Sequence, residues 1–278
     1  MQKIINHMVQ LQELCIALAQ QEAAMPGAQL TQLNESIETM LGELPRPEAT
    51  MFQKLQTKGP MSIVPISTTV CTACGMSLPA SLVQAVKQAD SIQQCPSCAR
   101  MLYYTSAAPK SKPRKTSRFE APKVGIERFS SPDLMVLKMK SKDREETIAE
   151  LCERMEESDF VESKDTLIEE ALKREAIVST AVDNGLAFPH VRGVEGGGLT
   201  LALGTSKKGI KFGNPSGKLT RIIFFMVIPT AASAFYLKLL SGLTQSFSKK
   251  ETREKLLEAE TPKDAWKVLV KATKNKIT

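Results

Sequence analysis

Aromatic residues make up only 5% of the 278 residues, so a core must rest mainly on Leu, Ile, Val, Ala and Met. Long apolar runs are missing too. The strongest, Ile222–Ile228, is far short of the ~20 residues that span a bilayer, which argues against membrane insertion. The first stretch, Met1–Glu22, is amphipathic rather than continuously apolar, unlike a secretory leader. Histidine occurs twice, at His7 and His190. Together these scarcities point to a soluble, cytoplasmic protein with little scope for histidine chemistry outside one or two places.

Charge is unevenly spread. The net charge is +7, but Lys110, Lys112, Arg114, Lys115, Arg118 and Lys123 face only Glu120 between Ser106 and Lys123. A Pro-, Ser- and Lys-rich stretch cannot build a core, so residues 106–124 are expected to form a basic flexible linker. The parts on either side are close to neutral, which weakens the case for a broad basic binding face. The expected division is 1–60 helical hairpin, 61–105 cysteine module, 106–124 linker and 125–278 C-terminal domain, at the usual ~100–200 residues per domain.

Apolar spacing supports this plan. Ile4, Met8, Leu11, Cys15 and Leu18 recur at four and three, the period of a coiled-coil seam. Met25-Pro26-Gly27 supplies a break, and Leu30, Leu33, Ile37, Met40 and Leu44 form a second stripe ending at Pro45. The pair predicts a helical hairpin able to pack on a neighbour or a second copy. Ser62–Val70 reads as a strand. Further on, Leu134–Met139, Leu199–Gly204 and Ile222–Ile228 read as strands, the last apolar throughout as a central one would be. Glu145–Glu157, Asp165–Arg174, Ala234–Ser246 and Arg253–Ala259 read as helices. Thr261-Pro262-Lys263-Asp264 opens a last helix with an N-cap, a first-turn proline and an acid. Strands mixed with helices predict an α/β fold, a mixed-sheet sandwich.

Two CxxC pairs, Cys71/Cys74 and Cys95/Cys98, lie 20 residues apart. Four thiolates so spaced complete a closed tetrahedral Zn2+ site, structural because it keeps no open position for water. Cys15 and Cys152 fall on apolar helix faces and read as inert core thiols.

His7 falls on the polar side of the first helix and reads as solvated. His190 follows Pro189 and a glycine-bearing turn, which predicts a stiff loop edge. A neutral imidazole is a nucleophile near neutral pH and can carry a phosphoryl group. The product bears roughly two negative charges and needs arginines, hydroxyls or N–H groups around it. Arg174, Arg192, Ser179 and Thr180 can supply them. Gly213-Asn-Pro-Ser-Gly217-Lys218-Leu219 superficially imitates a phosphate loop, but the glycine spacing is one residue short and Leu219 stands where Ser or Thr belongs.

Two resemblances sharpen the reading. The segment "VCTACGMSLP…QQCPSCARMLYY", within Met61–Tyr104, resembles the zinc ribbon that closes a family of bacterial coiled-coil proteins. It implies a zinc-stabilised interaction module. The stretch from Arg174-Glu175 through Ser179-Thr180, Gly185 and Pro189-His190 is similar to the signature RE-x-x-x-S-T-x-x-x-x-G-I-A-x-P-H of the fructose–mannitol class of enzyme IIA domains, with Leu186 for Ile. The similarity runs from about Gly125 to Thr273. It implies an enzyme IIA-type sandwich and a transferase of the phosphotransferase system, with His190 as phosphoacceptor and Arg174 steadying the phosphoryl group. The implied partners are the histidine-phosphocarrier protein HPr or a homologue, and a IIB domain or regulatory target. Where the family commonly has a second histidine, this chain has Tyr236. Two other readings remain: an inactive IIA-like regulatory module, and a zinc-ribbon nucleic-acid binder aided by the basic linker.

Overall fold

The computed structural model describes residues 1–24, 30–104, 124–194, 198–214, 216–229 and 233–277; the Met25-Pro26-Gly27 break and the basic stretch ending at Lys123 lie outside them. The chain forms two compact units, Met1–Ala108 and Pro109–Thr278. Among the described residues, no helix is long and apolar enough to cross a membrane.

The first unit opens with helices α1 (Gln2–Ala24), α2 (Thr31–Gly42) and α3 (Arg46–Gln56). The third was not anticipated from spacing. Pro45, read as the end of the second stripe, also caps α3, whose first turn contains Pro47. A proline there gives up an N–H that has no partner in a first turn anyway. Strands β1 (Ile63–Ser67), β2 (Val70–Cys71), β3 (Gln93–Gln94) and β4 (Met101–Tyr103), with helix α4 (Ala80–Gln88), follow. Their sheet has the order β2-β1-β4-β3, with β1 and β4 parallel.

Helices and sheet share one core. Ile5, Met8 and Leu11 of α1 pack with Phe52 and Leu55 of α3, Ile63 of β1 and Met101 of β4. A buried amide ties the layers: Gln12 Oε1 accepts from the Ser62 and Ile63 N–H groups at 2.7 and 2.8 Å, and its Nε2 donates to Ile63 O at 2.8 Å. It thereby pairs backbone polar groups that would be costly to bury alone. His7, expected in solvent, instead bridges two helices: its Nε2 lies 2.7 Å from the Met40 carbonyl and its Nδ1 3.8 Å from Glu43.

The second unit contains strands β5 (Met135–Val136), β6 (Ala181–Val182), β7 (Leu186–Ala187), β8 (His190–Val194), β9 (Thr200–Ile210) and β10 (Thr220–Pro229). Helices α5 (Arg144–Glu157), α6 (Lys164–Ile177), α7 (Ser233–Phe247), α8 (Lys250–Leu257) and α9 (Pro262–Thr273) complete it. The sheet is mixed. β9 and β10 are antiparallel, β5 runs parallel to β9, and both β7 and β8 run parallel to β10. From Ile222 to Ile228 no residue of β10 exceeds 1% exposure, which accounts for its unbroken apolar sequence. The helix starts follow their caps: Asp143 accepts from the Glu146 N–H at 2.9 Å, and Thr261 accepts from the Asp264 N–H at 3.2 Å. The expected strand Leu134–Met139 shrinks to two residues: a 3-10 turn occupies Pro132–Leu134, and Lys138 turns left-handed (φ 55°) beyond Val136.

Candidate functional site

The four cysteines converge. Their sulfur atoms all lie within 4.8 Å of one another, with Cys71–Cys98 at 3.8 Å and Cys74–Cys95 at 3.7 Å. At a Zn–S length of ~2.3 Å, a tetrahedron has edges of about 3.8 Å, so the cluster is sized for zinc. Two backbone turns of the same design build it. The Cys71 N–H donates to Met76 O and the Gly75 N–H to Cys71 O; likewise the Cys95 N–H donates to Arg100 O and the Ala99 N–H to Cys95 O. Each turn needs a left-handed residue four positions after its cysteine, at Gly75 (φ 74°) and Ala99 (φ 61°). Burial pushes the Cys71 thiol up to about 12. At Cys74 burial works in the same direction but is outweighed by the Met76 amide and the neighbouring thiols, which bring it down to about 7. When bound, zinc staples β2 and the turn before β4 into one small fold. Neither Cys15 nor Cys152 is a member of this cluster. Burial raises both thiols, that of half-buried Cys15 to about 11 and that of fully buried Cys152 further.

His190 occupies a different setting. It was expected at a loop edge, but it is the first residue of β8, paired with Met226 of the central strand and only 1% exposed. The reason lies in Phe188-Pro189. β7 pairs with Ile222 and Ile223 of β10, and β8 resumes at Met226. Between them Pro189 has no N–H to offer, while its carbonyl accepts from Met226 N at 2.9 Å. Strand pairing is interrupted without ending, and the imidazole is delivered at the restart. Phe188 stacks on Phe224 with ring centroids 5.4 Å apart, which anchors the interruption in the core.

The imidazole Nδ1 lies 3.0 Å from the Phe188 carbonyl. A carbonyl only accepts, so Nδ1 carries the proton and Nε2 keeps its lone pair. The Tyr236 hydroxyl oxygen is 3.2 Å from the same Nδ1, and the two rings lie 4.9 Å apart. Burial lowers the His190 pKa well below its usual 6.5; the Arg174 charge adds to this, the Phe188 hydrogen bond opposes it, and the Arg192 charge adds again. The ring is therefore neutral at physiological pH. Burial likewise pushes the Tyr236 phenol up, with Arg174 and Arg192 opposing, so the hydroxyl stays protonated.

The remaining expected residues are distributed unequally. Arg174 and Arg192 act electrostatically on both rings, and Arg174 Nη1 donates to Val178 O at 3.0 Å. The Thr180 hydroxyl donates to Glu175, whose other oxygen accepts from the Thr180 N–H at 3.1 Å. Ser179 Oγ accepts from the Ala181 N–H at 3.2 Å. The hydroxyls of Ser179 and Thr180 thus shape the turn after α6. Two participants were missed from sequence: the Phe188 carbonyl, because backbone roles leave no trace in residue type, and buried Glu175. The latter stands beside Arg174 in the signature, a signal that was available. The glycine-bearing loop is no phosphate cradle: Asn214 Oδ1 accepts from the Ser216 N–H and hydroxyl, and Asn214 Nδ2 donates to Val182 O.

Comparison with known proteins is consistent with this geometry. Residues 128–272, more than half of the chain, match the family described as phosphoenolpyruvate-dependent sugar phosphotransferase system, EIIA 2, and residues 70–102 match the C4-type zinc ribbon domain. A fructose-specific EIIA component from Haloferax volcanii is 32% identical over 109 residues, covering 39% of this chain and 71% of that protein. A fructose-specific EIIABC component from Bacillus subtilis is 28% identical over 125 residues, covering 45% of this chain but only 20% of the longer relative. Among solved structures, the nitrogen regulatory protein IIA-Ntr from Neisseria meningitidis shares 26% identity over 51% of this chain and 97% of its own, with a TM-score of 0.47. With a zinc-binding C4 ribbon in its first unit and this match across its second, the chain belongs to the EIIA 2 family of the phosphoenolpyruvate-dependent sugar phosphotransferase system.

Proposed function

We propose that His190 accepts a phosphoryl group on Nε2 from a phosphohistidine carrier of the HPr type and passes it to a IIB domain or a regulatory target. The observation that carries this reading is the Phe188 carbonyl on Nδ1, which leaves Nε2 as the nucleophile. Nε2 attacks phosphorus in line; the new N–P bond forms as the carrier's N–P bond breaks, and the carrier recovers its imidazole lone pair. The positive charge arising on the ring is shared through Nδ1–H with the Phe188 carbonyl. Arg174 and Arg192 offset the roughly two negative charges of the phosphoryl group, and the protonated Tyr236 hydroxyl stays beside Nδ1 rather than Nε2, packing the ring from the unphosphorylated nitrogen. Ser179, Thr180 and Glu175 hold the turn that follows Arg174. The 125–278 region is the carrier and the first 105 residues a zinc-stabilised docking module, both acting in the cytoplasm.

The test is incubation with phosphoenolpyruvate, enzyme I and HPr, followed by intact-mass analysis under alkaline conditions that preserve phosphohistidine. One added phosphoryl group in the wild type and none in His190→Ala is the expected result. A folded wild-type chain that gains nothing beside a working carrier system would leave a regulatory module instead.

A further inference from the structure

Away from His190, the second unit gathers positive charge into an open groove of about 870 Å³. Lys138, Lys140, Lys142, Lys207, Lys208 and Lys211 line it, and no acidic residue does. All six are exposed, and none forms an ion pair with the other described residues. The carboxylates that hydrogen-bond this segment do so through its backbone: Glu146 accepts from the Lys142 N–H, Glu150 from the Ser141 N–H, and Asp143 caps α5. Gathering like charges in this way costs stability, a cost that a polyanion relieves.

The arrangement is built into the fold. Residues 138–142 run alongside the end of β9: Met139 N–H donates to Thr205 O, and Lys211 N–H to Lys142 O. Met139 is buried while Lys138, Lys140 and Lys142 on either side of it are exposed. Along β9 the register slips. Thr205 pairs with Ile222 and Ile210 with Thr220, so Ser206, Lys207, Lys208 and Gly209 stand opposite Arg221 alone. A bulge of this kind re-aims side chains, and here it exposes two successive lysines. Gly209 permits it: its φ is +84°, and a Cβ there would sit 2.7 Å from the Leu219 Cβ. Arg221 Nη2 braces it by donating to Lys207 O at 2.8 Å. The two lysine rows flank a channel roughly 15–20 Å along the sheet from His190, by strand rise.

We infer that this groove binds the phosphate backbone of a nucleic acid without reading its sequence. The chemistry favours that partner. Repeated point charges in two rows match a regularly charged chain, and lysine contacts phosphate without the bidentate geometry by which arginine selects bases. A bilayer fits less well, because it cannot enter a groove and Leu219 is the sole large exposed apolar residue on its rim. This site is separate from the zinc ribbon and does not depend on phosphorylation of His190.

The experiment is fluorescence anisotropy of the full zinc-loaded chain with a short labelled RNA strand and a DNA duplex, across a salt series. A K140Q/K142Q/K207Q/K208Q variant is expected to bind more than tenfold more weakly, with its salt slope reduced by about 2–3 as phosphate contacts are lost. A K250Q/K255Q/K267Q/K271Q variant, which removes the same charge from α8 and α9, should retain most of the binding. Equal losses in both would make net charge the cause and overturn the groove. So would an unchanged groove variant, or binding to phosphatidylserine vesicles but to neither nucleic acid. The thermal unfolding midpoint and far-UV circular dichroism of each variant report that it is folded.

Discussion

The two units solve the problem of a stable interior in different ways. The second buries a continuous apolar strand, Ile222–Ile228, within a large hydrophobic core. In the first, the ribbon sheet has two strands of only two residues each, too little pairing to stand alone. It leans on three supports: the four-thiolate zinc site, the α1–α3 core and the Gln12 amide. A small fold can replace hydrophobic area with coordination bonds, but its order then depends on metal supply.

Removing zinc is the strongest way to break the comparison. Structural sites of this type contribute about 10–16 kcal/mol of binding free energy to folding. Cys95→Ser or chelation is therefore expected to abolish hydrogen-exchange protection across β1–β4, while β9 and β10 stay protected. Loss of protection in both units would show that they are not independent. The converse test removes core from the second unit. Phe224 stacks on Phe188 and lies 5.1 Å from Phe247, so Phe224→Ala should cost about 3–5 kcal/mol. Denaturant unfolding should show this loss in the second unit's transition alone, regardless of zinc.

Acid provides a gentler separation. The folded-state pKa of His190 lies below 6.5, so the unfolded chain takes up the proton first. The stability linked to neutral His190 is complete above about pH 6.5 and is lost as pH falls from there toward the folded pKa, by up to ~1.4 kcal/mol per unit. Comparing wild type with His190→Asn across pH isolates it: the stability difference should appear in the second unit, vary with pH below about 6.5 and be constant above pH 7. Smallest is Tyr236→Phe, which removes one hydroxyl from beside the imidazole. Its expected effect is about 0.5–1.5 kcal/mol, a roughly two- to tenfold slower phosphorylation. A loss as complete as that of His190→Ala would mean that the hydroxyl, rather than the Phe188 carbonyl, controls the ring.

Much of this was legible in the residues. The CxxC pairs, the β10 run and the Thr261 cap each act through a local rule that leaves a spacing or a residue type behind. What escaped acts through backbone or through space. Pro45 gave a stop signal and concealed that it also starts α3. His7 looked solvated because helix spacing cannot show that α2 brings the Met40 carbonyl to it. His190 looked like a loop residue because a proline before it reads as a break, and only pairing with Met226 reveals a strand restarting. The near-neutral charge outside the linker was a fair sum but a poor map: the lysines of 138–142 and 207–211 are separated in sequence and meet only through the parallel run beside β9.

The Phe188 carbonyl sits two residues before the ring it orients. The tautomer is thus set within the tripeptide Phe188-Pro189-His190, by a carbonyl that the local backbone carries with it. A residue 46 positions away, such as Tyr236, is released from that duty. A substitution there can change what lies beside the ring without changing which nitrogen carries the proton.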